Sequence, residues 1–581
     1  MRRMFLIVTL LVAAPATGQQ VEVDAFVLDN GMTFLLVPRT EQPNSIAVGW
    51  VAKVGSVNER PGITGISHFF EHMMFKGTRT IGTRDPEQDA DFIARQTVIK
   101  DQLNRLILTG QYQRFRRGEI DDPWDPANDT EAMASLREEL RELTEQHRDI
   151  IVKDEYAEMY AKLGGSRINA FTTNDQTFYI ATVPSNKFEL WAWMESDRLG
   201  DSVFREFYSE RDVVHEERRL RTESSPTGEF REQFEAMFWQ SSPYSWPVIG
   251  WPSDLNSYTL EQAREYFQTY YGPNNLVGVV VGDFQPSEIK PVIREYFGRL
   301  PRGGRVPAVV TLEVAQKAPM RMSAECECQP QVEVRYHTVP FNHRDEFALQ
   351  VLAELLNGRT GRLYKSMVAG AEIASSASAD QRGLKYAGGF SFTAEVKGDA
   401  KPQDLETVWY EQVKRLQDDP VDAHELQKVK NRLAANAYRR LQSNFFLMIQ
   451  LGIFESMGGW QYINESPAKL QAVTLQDIQR VARTYLVAGN SSVALYHRIA
   501  GAEPEDPELA ALDPKARSRV TQMLANLRQK TDPAELEDMA TMIEGNLFML
   551  PEDQRPAMEY VIKKMKQRVL ELQDLQDAGD E

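Results

Sequence analysis

The sequence predicts an α+β chain built on two copies of one domain plan, and three features carry that prediction. Runs with strand and turn chemistry open the chain. Helical periodicity takes over a few dozen residues later. A set of anchors in the first half then recurs in the second half at a constant offset. At 581 residues the chain is also too long for a single hydrophobic core.

The elements follow in order. Phe26-Val27-Leu28, the turn Asp29-Asn30-Gly31 and Thr33 to Val37 read as a hairpin, with a further strand from Ser45 to Val51. The pattern turns helical from Gly65 to Lys76. Thr177 to Val183 then reads as a strand and Lys187 to Leu199 as a helix. Thr259-Leu260, Thr269-Tyr270 and Asn275, placed before the apolar run Leu276 to Val281, are matched by Thr474-Leu475, Thr484-Tyr485 and Asn490 before Ser491 to Tyr496. Pro301, Gly303, Gly304 and Pro307 punctuate a linker between the copies. The expected domains are therefore 21–300 and 305–498.

Two segments stand outside the duplicated plan. Residues from about 84 to 160 carry Leu136, Leu140 and Leu143 on one helical face and breakers at Pro123 and Pro126, which predicts an inserted helical hairpin. After Glu503 to Pro507 the tail, 501–581, is again helical. Val520, Met523, Leu524 and Leu527 form one stripe, and Met558, Val561, Met565 and Val569 form another.

A net charge of -18 excludes nucleic acid as the main partner, because phosphate binding needs concentrated Lys and Arg. Arg2 and Arg3, the apolar run Met4 to Ala14 and the small residues Ala16, Thr17 and Gly18 read as an export signal spanning 1–18. The expected location is periplasmic or secreted, with an uncleaved anchor as the alternative. No later stretch approaches the ~20 apolar residues of a membrane helix. The cysteines, Cys326 and Cys328, lie too close in sequence for an unstrained bridge and have no further zinc ligands nearby, so they are expected to be structurally minor.

The chemistry concentrates in His68-Phe69-Phe70-Glu71-His72. Histidines at i and i+4 leave one face of a helix, so both imidazoles can converge on one zinc ion, which bonds nitrogen at about 2.0–2.1 Å. Glu71 is placed to take a proton from water there. The plain alternative is a pair of core histidines beside an incidental acid.

The segment Gly65 to Thr78 resembles the inverted zinc motif of the insulinase and pitrilysin family, which includes the mitochondrial processing peptidases. The resemblance extends over roughly residues 25 to 500 apart from the insertion. It implies two homologous α/β-roll domains forming half of a clamshell, with the peptidase site and one Zn2+ per chain on the first. It further implies hydrolysis of peptides or unfolded proteins small enough to enter. In that family a later glutamate completes the ligand set, seven residues after another acid. Glu210 and Glu217 have that spacing, so the resemblance implies Glu217 as ligand and Glu210 as its supporting acid, with Glu216 as the alternative. The insertion accounts for a longer interval than the family's.

Gly164-Gly165-Ser166-Arg167-Ile168-Asn169-Ala170-Phe171-Thr172-Thr173 resembles the family's substrate-pairing edge strand, with Asn169 and Ala170 near the scissile bond. An ordinary edge strand is the plainer reading. An arginine and a tyrosine that bind substrate carbonyls in active family members fall, by ungapped counting, on Val368 and Ser375. The implied partner is therefore an inactive paralogue in a heterodimer, with a homodimer as the alternative. Rival readings are a non-catalytic assembly subunit of the same fold and a peptide-binding or adhesion module using the C-terminal helices.

Overall fold

The computed structural model describes residues 20–162, 164–499, 506–528, 532–547, 550 and 554–577. The export signal expected at 1–18 lies outside them. The first sheet contains β1 (Asp24–Val27), β2 (Thr33–Pro38), β3 (Ile46–Ala52), β4 (Ser166–Thr172), β5 (Thr177–Val183) and β6 (Leu276–Gly282), in the order β1-β2-β6-β3-β5-β4. The second contains β7 (Met320–Cys326), β8 (Gln331–Thr338), β9 (Ala374–Gly383), β10 (Gly388–Val396) and β11 (Ser491–Arg498), in the order β7-β11-β8-β10-β9. Without the β1 hairpin arm, the orders are the same. So are the senses: β2 runs parallel to β6 and β7 to β11, and the other neighbours are antiparallel.

The repeated anchors owe their recurrence to identical local jobs. Thr259 and Thr474 each cap a helix, accepting from the backbone N–H three residues on in a reciprocal capping box. Thr269 and Thr484 each bond the carbonyl one turn back, at 2.7 and 2.8 Å. Asn275 and Asn490 each donate to the last turn of that helix, to the Tyr270 and Tyr485 carbonyls at 2.8 Å, and so set the entry into β6 and β11.

One face of the first sheet packs on α1 (Ile66–Met73) and on the helices Phe188–Asp201, Leu260–Tyr270 and Pro286–Phe297. That core includes Phe34, Trp50, Phe69, Phe70, Trp191 and Ile293. The opposite face receives the helix Asn444–Met457 from the second half, whose Leu447, Met448 and Leu451 meet Val51, Phe178, Val277 and Val279. Covered on both faces, β3 and β6 are buried at every position, which is why Leu276 to Val281 is a continuous apolar run. The second half has its own core around Val334, Leu352, Phe392 and Trp409.

Between α1 and β4 run α2 (Pro86–Leu106), capped by the Asp85 carboxylate, and the helix Glu131–Arg148, capped by Thr130. The leucine stripe on the second helix faces inward, and His147 extends it. His147 Nε2 lies 2.7 Å from Asp89 Oδ1. Asp89 also pairs with buried Arg205 at 2.8 and 2.9 Å, and Arg205 donates to the carbonyls of Lys76 and Thr78. The insertion is thereby tied to the loop that follows α1. Gly77 in that loop has φ +86, and a Cβ there would stand 2.2 Å from the Ile81 carbonyl oxygen.

The tail helices Pro514–Arg528, Pro533–Asn546 and Arg555–Asp577 bury Val520, Leu527, Val561, Met565 and Val569 together. Met523, expected in the first stripe, is 40% exposed. Arg517 joins the tail to Glu395 of β10 at 2.6 Å. Cys326 and Cys328, which the sequence leaves as structurally minor, are bonded to each other. The chain bends directly after β7, which brings their Cα atoms to 5.2 Å, inside the range disulfides span.

Candidate active site

Local chemistry sets the start of α1. Gly65 precedes it at φ +87 and lies against the Ile249 carbonyl, where a side chain has no room. The Glu59 carboxylate receives the N–H groups of Gly65 and Ser67, both at 2.8 Å, and occupies the positive end of the helix. Burial pushes Glu59 up to about 8, against the pull of those donors. The sequence reading missed Glu59, which carries no motif and acts only through the fold.

From this helix His68 and His72 project side by side, ring centroids 4.9 Å apart. Glu217, on the helix Phe207–Arg218, reaches between them: Oε1 is 3.6 Å from His68 Nε2 and Oε2 is 3.2 Å from His72 Nε2. One ligand atom from each of the three residues lies within 4.8 Å of the others. A tetrahedral zinc site with bonds of about 2.0–2.2 Å holds its ligand atoms roughly 3.4 Å apart, so the donor set and its spacing fit that ion. Glu216 instead points outward and pairs with Arg219 at 2.6 Å. His215 is half-buried away from the cluster, and burial pushes its imidazole down.

Acidic partners brace the cluster. Glu210 Oε1 lies 2.9 Å from His72 Nδ1, while its other oxygen takes Lys76 Nζ at 2.5 Å. Arg221, one turn beyond Glu217, reaches Glu217 Oε1 at 2.5 Å. For His72, burial opposes the cation but is outweighed by Glu210 and Glu217, which raise it to about 9. Against the cost of burial, the histidines and Arg221 hold Glu217 well below the usual carboxylate range.

Glu71 leaves the same helix toward β4, where Thr172 donates its hydroxyl to Oε2 at 2.6 Å. Among the described residues β4 pairs on one side only, with β5, and its outer edge is free. Asn169 is exposed on that strand and Ala170 is buried; the Asn169 side chain accepts from the Ala170 N–H at 2.9 Å. Asn169, Glu71 and His72 line one cavity. Thr172, Lys76 and Arg221 were missed as site residues, although Thr172 and Lys76 stand inside the segments already singled out. In the second half, Val368 is partly buried against the core and Ser375 is exposed beside Glu395.

Comparison with known proteins matches residues 35–88 to the family model described as insulinase (peptidase family M16). Residues 257–433 match the model described as the peptidase M16 inactive domain. The chain is 24% identical over 490 residues to the zinc protease PqqE of Helicobacter pylori, covering 83% of this chain and 94% of the relative. Its fold is similar to the crystal structure of a protease from Helicobacter pylori, with TM-score 0.65 and 22% identity, over 82% of this chain and 99% of that one. It is also similar to the periplasmic protease PqqL from Escherichia coli, with TM-score 0.61 and 16% identity, over 86% of this chain and 50% of that one.

Proposed function

The chain belongs to the insulinase family, peptidase family M16, and from that membership we propose that it is a zinc-dependent metalloendopeptidase acting on extended or unfolded polypeptides. The observation that carries the reading is the convergence of His68 Nε2, His72 Nε2 and the Glu217 carboxylate beside Glu71. His68, His72 and Glu217 would hold the ion. When bound, zinc polarises a scissile carbonyl and acidifies water.

The remaining work falls to the chain's own groups. Glu210 accepts from His72 Nδ1–H, which leaves the Nε2 lone pair directed at the cluster. Lys76 fixes Glu210 by taking its second oxygen. Thr172 holds Glu71 Oε2, so Oε1 is the oxygen free to accept a proton from the attacking water and hand it to the departing amine. Substrate backbone would add to the free edge of β4 past Asn169 and Ala170.

A periplasmic or secreted setting agrees with the residues at 1–18 and with the periplasmic PqqL neighbour, and no helix among the described residues is long and apolar enough to cross a membrane. A partner chain of the same fold would supply the carbonyl donors that Val368 and Ser375 do not. The assembly-subunit reading has less support, because its premise is a lost ligand set and all four side chains stand together here. Zinc content and hydrolysis of an internally quenched peptide by the purified protein test the proposal. Glu71→Gln should retain zinc and lose about 10²- to 10⁴-fold in turnover. Near-native turnover by that variant would remove Glu71 from the role.

A further inference from the structure

The helix that carries Glu217 does not stop at Arg218. It runs on through Arg219–Glu223 as one wider turn, in which the Ser224 N–H reaches the Arg219 carbonyl five residues back at 2.8 Å. Such π-turns are rare and collect at functional sites. This one is fixed at both ends. Arg218 donates to the Glu232 carboxylate at 2.7 and 2.6 Å and to the Gly250 carbonyl at 3.0 Å. Gly228 lies so close to Thr222 that a Cβ there would stand 2.1 Å from the Thr222 carbonyl oxygen.

Between those fixed points Arg221 sends its side chain back one turn to Glu217 Oε1, at 2.5 Å. The Glu217 side chain is 17% exposed and that of Arg221 63%, so the guanidinium stands at the solvent edge of the histidine–glutamate cluster. A guanidinium carries five N–H donors, and among the described residues Glu217 is the single partner of this one. Lys76, by contrast, is already divided between Glu206, at 3.3 Å, and Glu210, at 2.5 Å. Arg219 makes an ordinary surface pair with Glu216, away from the cluster. Arg221 therefore combines what its neighbours do not: a place beside the candidate ligand atoms, and donors left over.

Peptide hydrolysis needs donors of this kind. As the water oxygen bonds to the scissile carbon, the carbonyl π pair moves onto oxygen and Glu71 takes a water proton. When the C–N bond breaks, that pair returns to re-form the carbonyl and the proton leaves on the amine. Donors aimed at the oxygen while it is charged lower the barrier, and Val368 and Ser375 offer none of the needed reach. Building on the peptidase reading, we propose that Arg221 is a catalytic residue, with one N–H kept on Glu217 while another donates to the scissile carbonyl oxygen as negative charge gathers there. The planar fork of a guanidinium serves two acceptors at once, which an ammonium group does less well. A partner of the same fold then holds the flanking carbonyls, and the donor to the reacting oxygen belongs to this chain.

The test compares full-length Arg221→Ala and Arg221→Lys with Arg219→Ala, which removes only the neighbouring surface pair. Zinc retained after dialysis should be the same in all three as in the unaltered protein. On an internally quenched peptide, kcat should fall about 10²-fold in Arg221→Ala with KM little changed. It should recover in part in Arg221→Lys, and in Arg221→Ala on adding guanidinium ion. A second readout needs no turnover. Calorimetry on the zinc-loaded proteins should show a phosphinic peptide, whose tetrahedral phosphorus carries an anionic oxygen, binding Arg221→Ala about 10²-fold more weakly, in step with kcat/KM. In a Glu71→Gln background the uncleaved planar peptide should bind equally well with and without Arg221→Ala. Arg219→Ala should change none of these values. Native kcat or unchanged phosphinic affinity in Arg221→Ala would overturn the proposal. So would zinc lost from that variant on dialysis, which would make Arg221 a residue that only positions Glu217. No hydrolysis by the unaltered protein, alone or with a partner, sinks the peptidase reading, whereas hydrolysis indifferent to Arg221 sinks this role alone.

Discussion

Thr172 donates its hydroxyl hydrogen to Glu71 Oε2 at 2.6 Å and so joins the end of the edge strand β4 to the helix that carries both histidines. The bond holds one carboxylate oxygen and leaves the other free. Thr172→Val should lower kcat about tenfold or more, the worth of a hydrogen bond to a charged group, with zinc content and KM little changed. Thr172→Ser should restore the rate. Steady-state kinetics beside metal analysis checks this, and a loss of zinc in the valine variant would make Thr172 a structural residue instead.

Glu217 stands between the histidines while its neighbour Glu216 faces solvent with Arg219. Glu217→Gln should therefore release zinc during dialysis, because it removes an anionic ligand atom from the set. Glu216→Gln should keep it. Zinc remaining after dialysis, measured on both variants, decides the assignment, and the reverse order would put the helix register wrong by one residue.

Zinc affinity should rise with pH across the neutral range. In the metal-free protein burial disfavours the His72 cation, but Glu210 and Glu217 outweigh it and lift the group to about 9, so below that pH the ion must displace a proton from a ligand. The expected gain is about tenfold per pH unit from pH 6.5 to 8.5, flattening near 9. Competition with a chromophoric chelator measures it. A plateau beginning near pH 6.5, the unshifted histidine value, would show that the two carboxylates do not hold His72 charged. Glu210→Gln should move the plateau in that direction.

The isolated chain should be weakly active, and a partner of the same fold should raise kcat/KM. Val368 is partly buried in apolar core and Ser375 is short, so neither offers a long donor to a substrate carbonyl. Co-expression with a paralogue lacking the histidine motif, followed by size-exclusion chromatography and peptide kinetics, should give a heterodimer with higher kcat/KM. Full activity in a pure homodimer, unaffected by any such partner, would contradict this.

Much was legible in the sequence because it is encoded within single elements. The spacing of His68, Glu71 and His72 decides which helix face each occupies, whatever surrounds the helix. The duplicated anchors were visible because Thr259, Thr474, Asn275 and Asn490 satisfy backbone groups a few residues away, and the same local need recurs in each copy. Tertiary structure alone decided the rest. The Glu71 bond to Thr172 spans 101 residues and the His72 bond to Glu210 spans 138, distances at which periodicity carries no signal. The helix Asn444–Met457 covers the first sheet because apolar burial is non-directional: its Leu447 and Leu451 would satisfy any matching surface, and packing selects which one. The insertion reads from sequence as a helical hairpin. Tertiary contacts, among them the Arg205–Asp89 pairing and the Glu155 carboxylate accepting from the Gly82 N–H, bring its end beside the site.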